Sequence, residues 1–205
     1  MSKRKGMLVT LEGPEGAGKS TQIELLRRSL AKYDPLLLRE PGGTALGEGI
    51  RQLLLDNREL RIAPEAELHL FLAARAELIS EVMEPALRAD RLVLVDRYHD
   101  STRVYQGIVG GLQVDWPESI PRPQLTVLLM LPPEVGLERH RRSGVRLDRL
   151  DDQPLEFHRQ VVAGYQRLVE LEPERFLIVN AADSSELIQQ RIVERLKPLL
   201  NEGLV

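Results

Sequence analysis

Five short apolar runs punctuate the chain: Met7–Leu11, Pro35–Leu38, Leu92–Val95, Leu125–Leu131 and Phe176–Val179. Each is leucine-rich or β-branched and short, which predicts five buried strands. Between them, apolar positions recur at helical period over Lys19–Tyr33, Leu46–Asp56, Pro64–Arg88, Pro133–Arg142, Pro154–Glu170 and Ser184–Leu200. Several of these segments open on a proline, which suits the first turn of a helix. Such alternation predicts an α/β fold, a doubly wound five-stranded parallel sheet flanked by helices. Ligands of these sheets bind beyond the carboxyl ends of the strands, so the segment after each strand is where chemistry is expected.

Length and composition narrow the picture without supplying chemistry. The 205 residues suit a single domain, 1–205, large enough to bury a real core. A formal net charge of -3 with 42% hydrophobic residues argues against a nucleic-acid coat or a disordered tail. Polymeric DNA or RNA is therefore not an expected partner. The absence of cysteine excludes disulfides and thiolate metal sites and fits a reducing compartment. Met1–Gly6 carries Lys3, Arg4 and Lys5, but the apolar run after it ends at Glu12, so it is read as a solvated leader. No apolar stretch approaches the roughly 18 residues of a membrane span, and a soluble cytoplasmic protein is expected.

The first strand runs into Gly13-Pro14-Glu15-Gly16-Ala17-Gly18-Lys19-Ser20, and a helical pattern follows from Thr21. This is a phosphate-binding loop in the required strand-loop-helix context. Its glycines let consecutive amides turn inward at phosphate oxygens, and the helix adds its positive end. Lys19 reaches the outer phosphates and Ser20 can ligate magnesium. A plain glycine-rich turn would explain the glycines, but not every fixed position together with both flanks. Residues 13–21 are thus expected to bind a nucleoside triphosphate.

Three further segments join this loop: Arg39-Glu-Pro-Gly-Gly-Thr44 after the second strand, Phe71-Leu-Ala-Ala-Arg75 in the third helical segment, and Asp96-Arg-Tyr-His-Asp-Ser-Thr-Arg-Val-Tyr-Gln-Gly107 after the third strand. With Leu11–Gln22 they make nearly the whole chain resemble the thymidylate kinase family, bacterial type. The resemblance implies a P-loop NTPase-like fold, ATP and Mg2+ as cofactors, thymidine monophosphate as acceptor, and a homodimer formed through helices that include the one carrying Phe71. Phosphoryl transfer needs positioned cations more than covalent help. The resemblance gives Lys19 a catalytic role, Arg97 the acceptor phosphate, and Asp96 with Ser20 the magnesium or its waters. Arg39 and Arg51 join Arg97, planar guanidinium groups suited to bidentate phosphate binding.

Phe71 and Arg75 lie four apart and share a helix face. In the family such a pair holds the thymine, by stacking and by donation to a base carbonyl. Phe71 alone would read as core, but an arginine one turn away is poorly placed in a dry core, which favours a base site. The resemblance adds Thr102 as a polar contact to the base, with Ser101 as its substitute, Tyr105 under the deoxyribose, Gln106 in the same pocket, and Glu15 accepting from the sugar 3'-hydroxyl. Another nucleotide or nucleoside kinase is the nearest alternative. A nucleotide-dependent switch is disfavoured because no Asn-Lys-x-Asp sequence occurs.

Gly16 stands where eukaryotic-type members carry a catalytic arginine, so another cation is required. The run Arg139-His-Arg-Arg-Ser-Gly-Val-Arg-Leu-Asp-Arg149 resembles the small basic lid of the bacterial type, spanning about 139–152, with Ser143-Gly144 as its hinge. Arg149 is the first candidate, followed by Arg146 and Arg142. Asn180–Ser184 matches the loop that borders adenine in relatives. Between Gly107 and Leu125 relatives commonly have another helix, and here it is expected to be truncated.

Overall fold

The structure, a computed structural model, describes residues 6–57, 59–144 and 148–203. The basic leader and Arg146 lie outside the described residues. Strands β1 (Met7–Glu12), β2 (Leu36–Arg39), β3 (Leu92–Asp96), β4 (Leu125–Met130) and β5 (Phe176–Asn180) form one sheet in the order β2-β3-β1-β4-β5. All pairings are parallel, with Met7 opposite Leu92, Val9 opposite Leu125, Arg39 opposite Asp96 and Met130 opposite Asn180. This is the expected doubly wound sheet. The expected strand positions hold to within a residue or two, because buried parallel strands are near-continuous apolar runs.

Alternation along β1 sorts the two faces. Val9 and Leu11, with Val127 and Leu129, pack under α1 (Lys19–Ser29), where Ile23 and Leu26 meet Ile188, Ile192 and Leu196 of the C-terminal helix. On the other face, Leu8, Val93 and Val95 meet Met83 and Leu87. Beside them Leu128 packs with Val104, Val161 and Tyr165. Both faces are therefore covered, and only the strand ends are left to form a cleft.

Helix α2 (Ala45–Arg51), capped by Thr44 Oγ1 accepting from the Gly47 amide at 2.9 Å, continues through a wider-wound Gln52–Asp56. Helix α3 (Pro64–Leu78) starts on proline and runs on through Ile79–Met83 into Glu84–Arg88. Its wider-wound stretch ends two residues before Pro85, whose missing N–H cannot continue the ladder. The chain then differs from expectation: α4 (His99–Thr102), extended through Arg103–Val109, is a helix that the periodicity did not predict. From Gly110 to Gln124 there is no helix or strand, as expected of a truncated segment. Helices α5 (Pro133–Arg142), α6 (Leu155–Leu171) and α7 (Ser185–Gly203) complete the layers. No helix among the described residues is long and apolar enough to cross a membrane.

Candidate active site

The carboxyl ends of the strands open into a cavity of about 750 Å3. The phosphate loop lies between β1 and α1, and Lys19 turns back into it, donating to the carbonyl oxygens of Gly13 at 3.1 Å and Pro14 at 2.9 Å. Burial, then the neighbouring Arg97, lowers the Lys19 ammonium below its ordinary value. Residues 15–21 line the cavity, whereas Gly13 and Pro14 do not. Gly16, at φ 69°, is in the left-handed region, and a Cβ there would lie 1.9 Å from the Gly136 carbonyl oxygen of α5. Reciprocally, a Cβ on Gly136 would lie 2.2 Å from the Glu15 carbonyl oxygen. The backbones touch, so position 16 has no room for an arginine.

At the end of β3, Oδ2 of Asp96 accepts from Ser20 Oγ at 2.8 Å. Both groups line the cavity and offer the hard oxygen atoms that Mg2+ prefers. Arg97 follows with φ 62°, a left-handed backbone that costs a non-glycine residue of order 1 kcal/mol or more. Its Nη1 donates to the Gly13 carbonyl at 3.1 Å and to Ser101 Oγ at 3.3 Å, and its Nη2 pairs with Glu15. Tyr105 Oη also donates to Glu15, at 3.1 Å. Burial opposes ionisation of Glu15, but Arg97, then Lys19, and the Tyr105 hydroxyl hold its carboxyl at about 2. It is a fixed carboxylate at any ordinary pH.

Glu12, the residue before the loop, has no place among the sequence-derived candidates, yet it anchors the same turn. Its buried carboxylate accepts from the Tyr98 amide at 2.8 Å, Ser101 Oγ at 2.6 Å and Tyr165 Oη at 2.9 Å. Ser101 lines the cavity while its hydroxyl is engaged with Glu12. Its oxygen also lies 3.0 Å from Tyr165 Oη.

Arg39 and Arg51 both line the cavity. Arg39 is exposed and pairs with Glu48 at 3.0 Å, while Arg51 donates to the Pro41 carbonyl at 2.9 Å. Burial, then the nearby Arg39, lowers the Arg51 guanidinium, so the two cations converge where an anion would relieve both. Phe71 lines the cavity too and packs on Ile50, Leu54 and Leu55 of the α2 segment, so it is both core and wall.

Arg75 corrects the sequence argument. It is only 2% exposed, a buried arginine after all. Glu40 makes this tolerable: its Oε2 lies 2.7 Å from Nε and 2.6 Å from Nη2. Nη2 also donates to Thr102 Oγ1 at 2.9 Å, and Nη1 lies 3.0 Å from His99 Nδ1. Arg75, Thr102, Tyr105 and Gln106 share the cavity wall, Gln106 donating to Glu67 at 2.8 Å.

The described part of the basic run divides. Arg139 lines the cavity and donates to the Ala181 carbonyl at 2.6 Å, tying α5 to the loop after β5. Arg142 points away from the cavity, with a side chain 78% exposed and paired with Glu138 at 2.7 Å. Arg149 donates to the Leu54 carbonyl at 3.0 Å and pairs with Glu67, beside a smaller cavity of about 230 Å3 rather than in the main one. Glu40 and Arg139 also line the cavity, and Glu12, His99 and Tyr165 bond to Ser101, Arg75 and Arg97, which do, although the sequence assigned none of the five a role. Glu12, Glu40 and His99 stood inside the motif segments and Arg139 opened the basic run, whereas Tyr165 carried no signal.

A phosphate loop, a strand-end Asp-Arg pair and convergent arginines on a parallel sheet define a P-loop phosphotransferase with a second, phosphate-bearing substrate. Comparison with known proteins narrows this class. The family model "Thymidylate kinase" matches residues 11–192. Thymidylate kinase of Desulfovibrio desulfuricans is 47% identical over 195 residues, covering 88% of this chain and 90% of that protein. The protein of the same name from Thermomicrobium roseum is 43% identical over 204 residues, covering 95% and 96%. The crystal structure of thymidylate kinase from Ehrlichia chaffeensis superposes with a TM-score of 0.73 at 25% identity, covering 94% of this chain and 98% of that one. The chain belongs to the thymidylate kinase family.

Proposed function

We propose that the chain transfers the terminal phosphoryl group of ATP to thymidine monophosphate, giving ADP and thymidine diphosphate and so supplying precursor for DNA synthesis. One observation carries the reading of the acceptor: Arg39, Arg51 and Arg97 line the same cavity as Phe71, Arg75 and Thr102. A phosphate and a small planar base with carbonyl edges satisfy both groups of residues at once. Arg75 donates to a base carbonyl, Phe71 stacks, Thr102 contacts the base edge, and Gln106 closes the same pocket. Tyr105 lies under the sugar, whose 3'-hydroxyl donates to the fixed carboxylate of Glu15.

On the donor side, residues 13–21 hold the triphosphate, and Lys19 exchanges its loop carbonyls for phosphate oxygens. Ser20 and Asp96 hold Mg2+ directly or through its waters, and the ion offsets phosphate charge when bound. Arg97 aligns the acceptor phosphate with the transferring group. The lid supplies the further cation: Arg149 is the assigned group once closure releases it from Glu67, with Arg146 and Arg142 as its alternatives. A homodimer in the cytoplasm completes the reading, since Leu46 and Leu53 on the α2 segment stay 52% and 46% exposed beside α3. The net charge of -3 speaks against a polynucleotide partner.

The test is ADP formation with ATP, Mg2+ and each nucleoside monophosphate or nucleoside in turn. Selective turnover of thymidine monophosphate is expected. Preference for a purine or for an unphosphorylated nucleoside would overturn the acceptor assignment.

A further inference from the structure

Glu40 holds Arg75 through one oxygen, because Nε and Nη2 both contact Oε2 while the buried Oε1 has no partner among the described residues. A contact with a single oxygen neutralises charge but acts as a pivot, unlike a fork between two oxygens. The guanidinium plane must be set by its other contacts, Thr102 at Nη2 and His99 at Nη1.

His99 is completely buried at the start of α4. Its Nε2 lies 2.7 Å from the Asp115 carbonyl oxygen, which can only accept, so Nε2 carries the proton. Nδ1 is then a lone pair, and Arg75 Nη1 donates to it at 3.0 Å. Burial, then the Arg75 charge, lowers the His99 imidazole to about 3, so the ring is neutral when the enzyme works. Trp116 packs edge-on against the ring at 4.8 Å and donates from Nε1 to the Ile120 carbonyl at 2.9 Å. The turns between Gly110 and Gln124 thus hold the Asp115 carbonyl in place behind the imidazole.

We infer that His99 is a positioning residue for acceptor recognition: the Asp115 carbonyl fixes its tautomer, and its Nδ1 lone pair fixes the plane of the Arg75 guanidinium. This rests on the reading of Arg75 as the group that donates to the acceptor base. A misaligned guanidinium would favour a base carbonyl less strongly over the amino group that cytosine carries at the same edge.

Two variants separate positioning from packing. In His99→Asn the amide oxygen stands near the Nδ1 position and still accepts from Arg75. In His99→Gln the longer amide reaches Asp115 and leaves Nη1 without an acceptor. Both lose the ring against Trp116, so their melting temperatures should fall alike. His99→Gln should raise KM for thymidine monophosphate roughly tenfold, the scale of one hydrogen bond to a charged group. Its kcat and its KM for ATP should stay within about twofold, as for other positions outside the donor site, while its preference over deoxycytidine monophosphate narrows. His99→Asn should stay within about twofold of wild type throughout. Equal KM changes in the two variants, or none in His99→Gln, would overturn the inference.

Arg75→Lys, which keeps a charge facing Glu40, isolates the underlying reading. An unchanged KM there removes the base role of Arg75 itself, whereas a raised KM beside a normal His99→Gln removes only the role of His99. The 15N spectrum of histidine-labelled wild-type protein tests the tautomer without any variant. A neutral ring protonated on Nε2 is expected at mildly acid pH, and the opposite tautomer or a doubly protonated ring would overturn the inference.

Discussion

Ser20 Oγ donates to Asp96 Oδ2 at 2.8 Å, joining the first turn after the phosphate loop to the end of the neighbouring strand. Asp96→Asn keeps the shape and an acceptor for Ser20 but removes the charge. The expected loss in kcat is about 10²-fold, the scale of one preorganised electrostatic group. The Mg2+ concentration for half-maximal rate should rise as well. Titrating Mg2+ against rate checks this, and an unchanged titration would remove Asp96 from the metal.

Lys19 is the only described donor to the Gly13 and Pro14 carbonyls besides Arg97, which also reaches Gly13. Lys19→Ala should reduce phosphoryl transfer by at least about 10²-fold while the sheet stays folded. Steady-state assay beside circular dichroism decides the matter. Near-normal turnover would defeat the mechanism.

Removing Glu40 strands a buried cation. Glu40→Ala should cost about 3–5 kcal/mol, the range for breaking one side of a buried ion pair. Urea unfolding would register this as a lower midpoint. A loss below about 1 kcal/mol would mean that Arg75 relaxes to solvent, as exposed pairs do.

Glu12 makes stability depend on pH. Burial, then the Asp100 charge, pushes its carboxyl from 4.5 up to about 7, against the opposing pull of Ser101, Arg97 and Tyr165. The native state therefore binds this proton more tightly than the unfolded chain. Its contribution is full below about 4.5 and is lost as pH rises to about 7. Glu12→Gln should flatten the fall in melting temperature across that window. A wild-type curve rising through the same window, with the variant unchanged, would contradict the assignment.

Legibility followed sequence distance and polarity. The strands and the phosphate loop were plain because each is a local pattern. Helix α4 was not: His99, Asp100, Thr102 and Gln106 are polar yet buried against other polar groups, so the usual contrast between faces is missing. The burial of Arg75 was not legible because its compensating carboxylate lies 35 positions away. Glu12 gave no hint of its partner Tyr165, 153 positions later. Within the basic run, composition could not distinguish Arg139, held inward by the Ala181 carbonyl, from the solvated Arg142.

The contact between Gly16 and Gly136 bears on how such an enzyme could evolve. If the lid supplies the catalytic cation, as proposed, moving it into the phosphate loop requires a side chain at position 16, which would strike the backbone of α5. That helix would have to shift before the new arginine could help, and shifting it first would leave a gap beside the loop. Neither order of steps is neutral, so substitutions at these two positions should be strongly non-additive. A lineage that relies on its lid for the cation would then be held there by a pair of glycines that perform no chemistry.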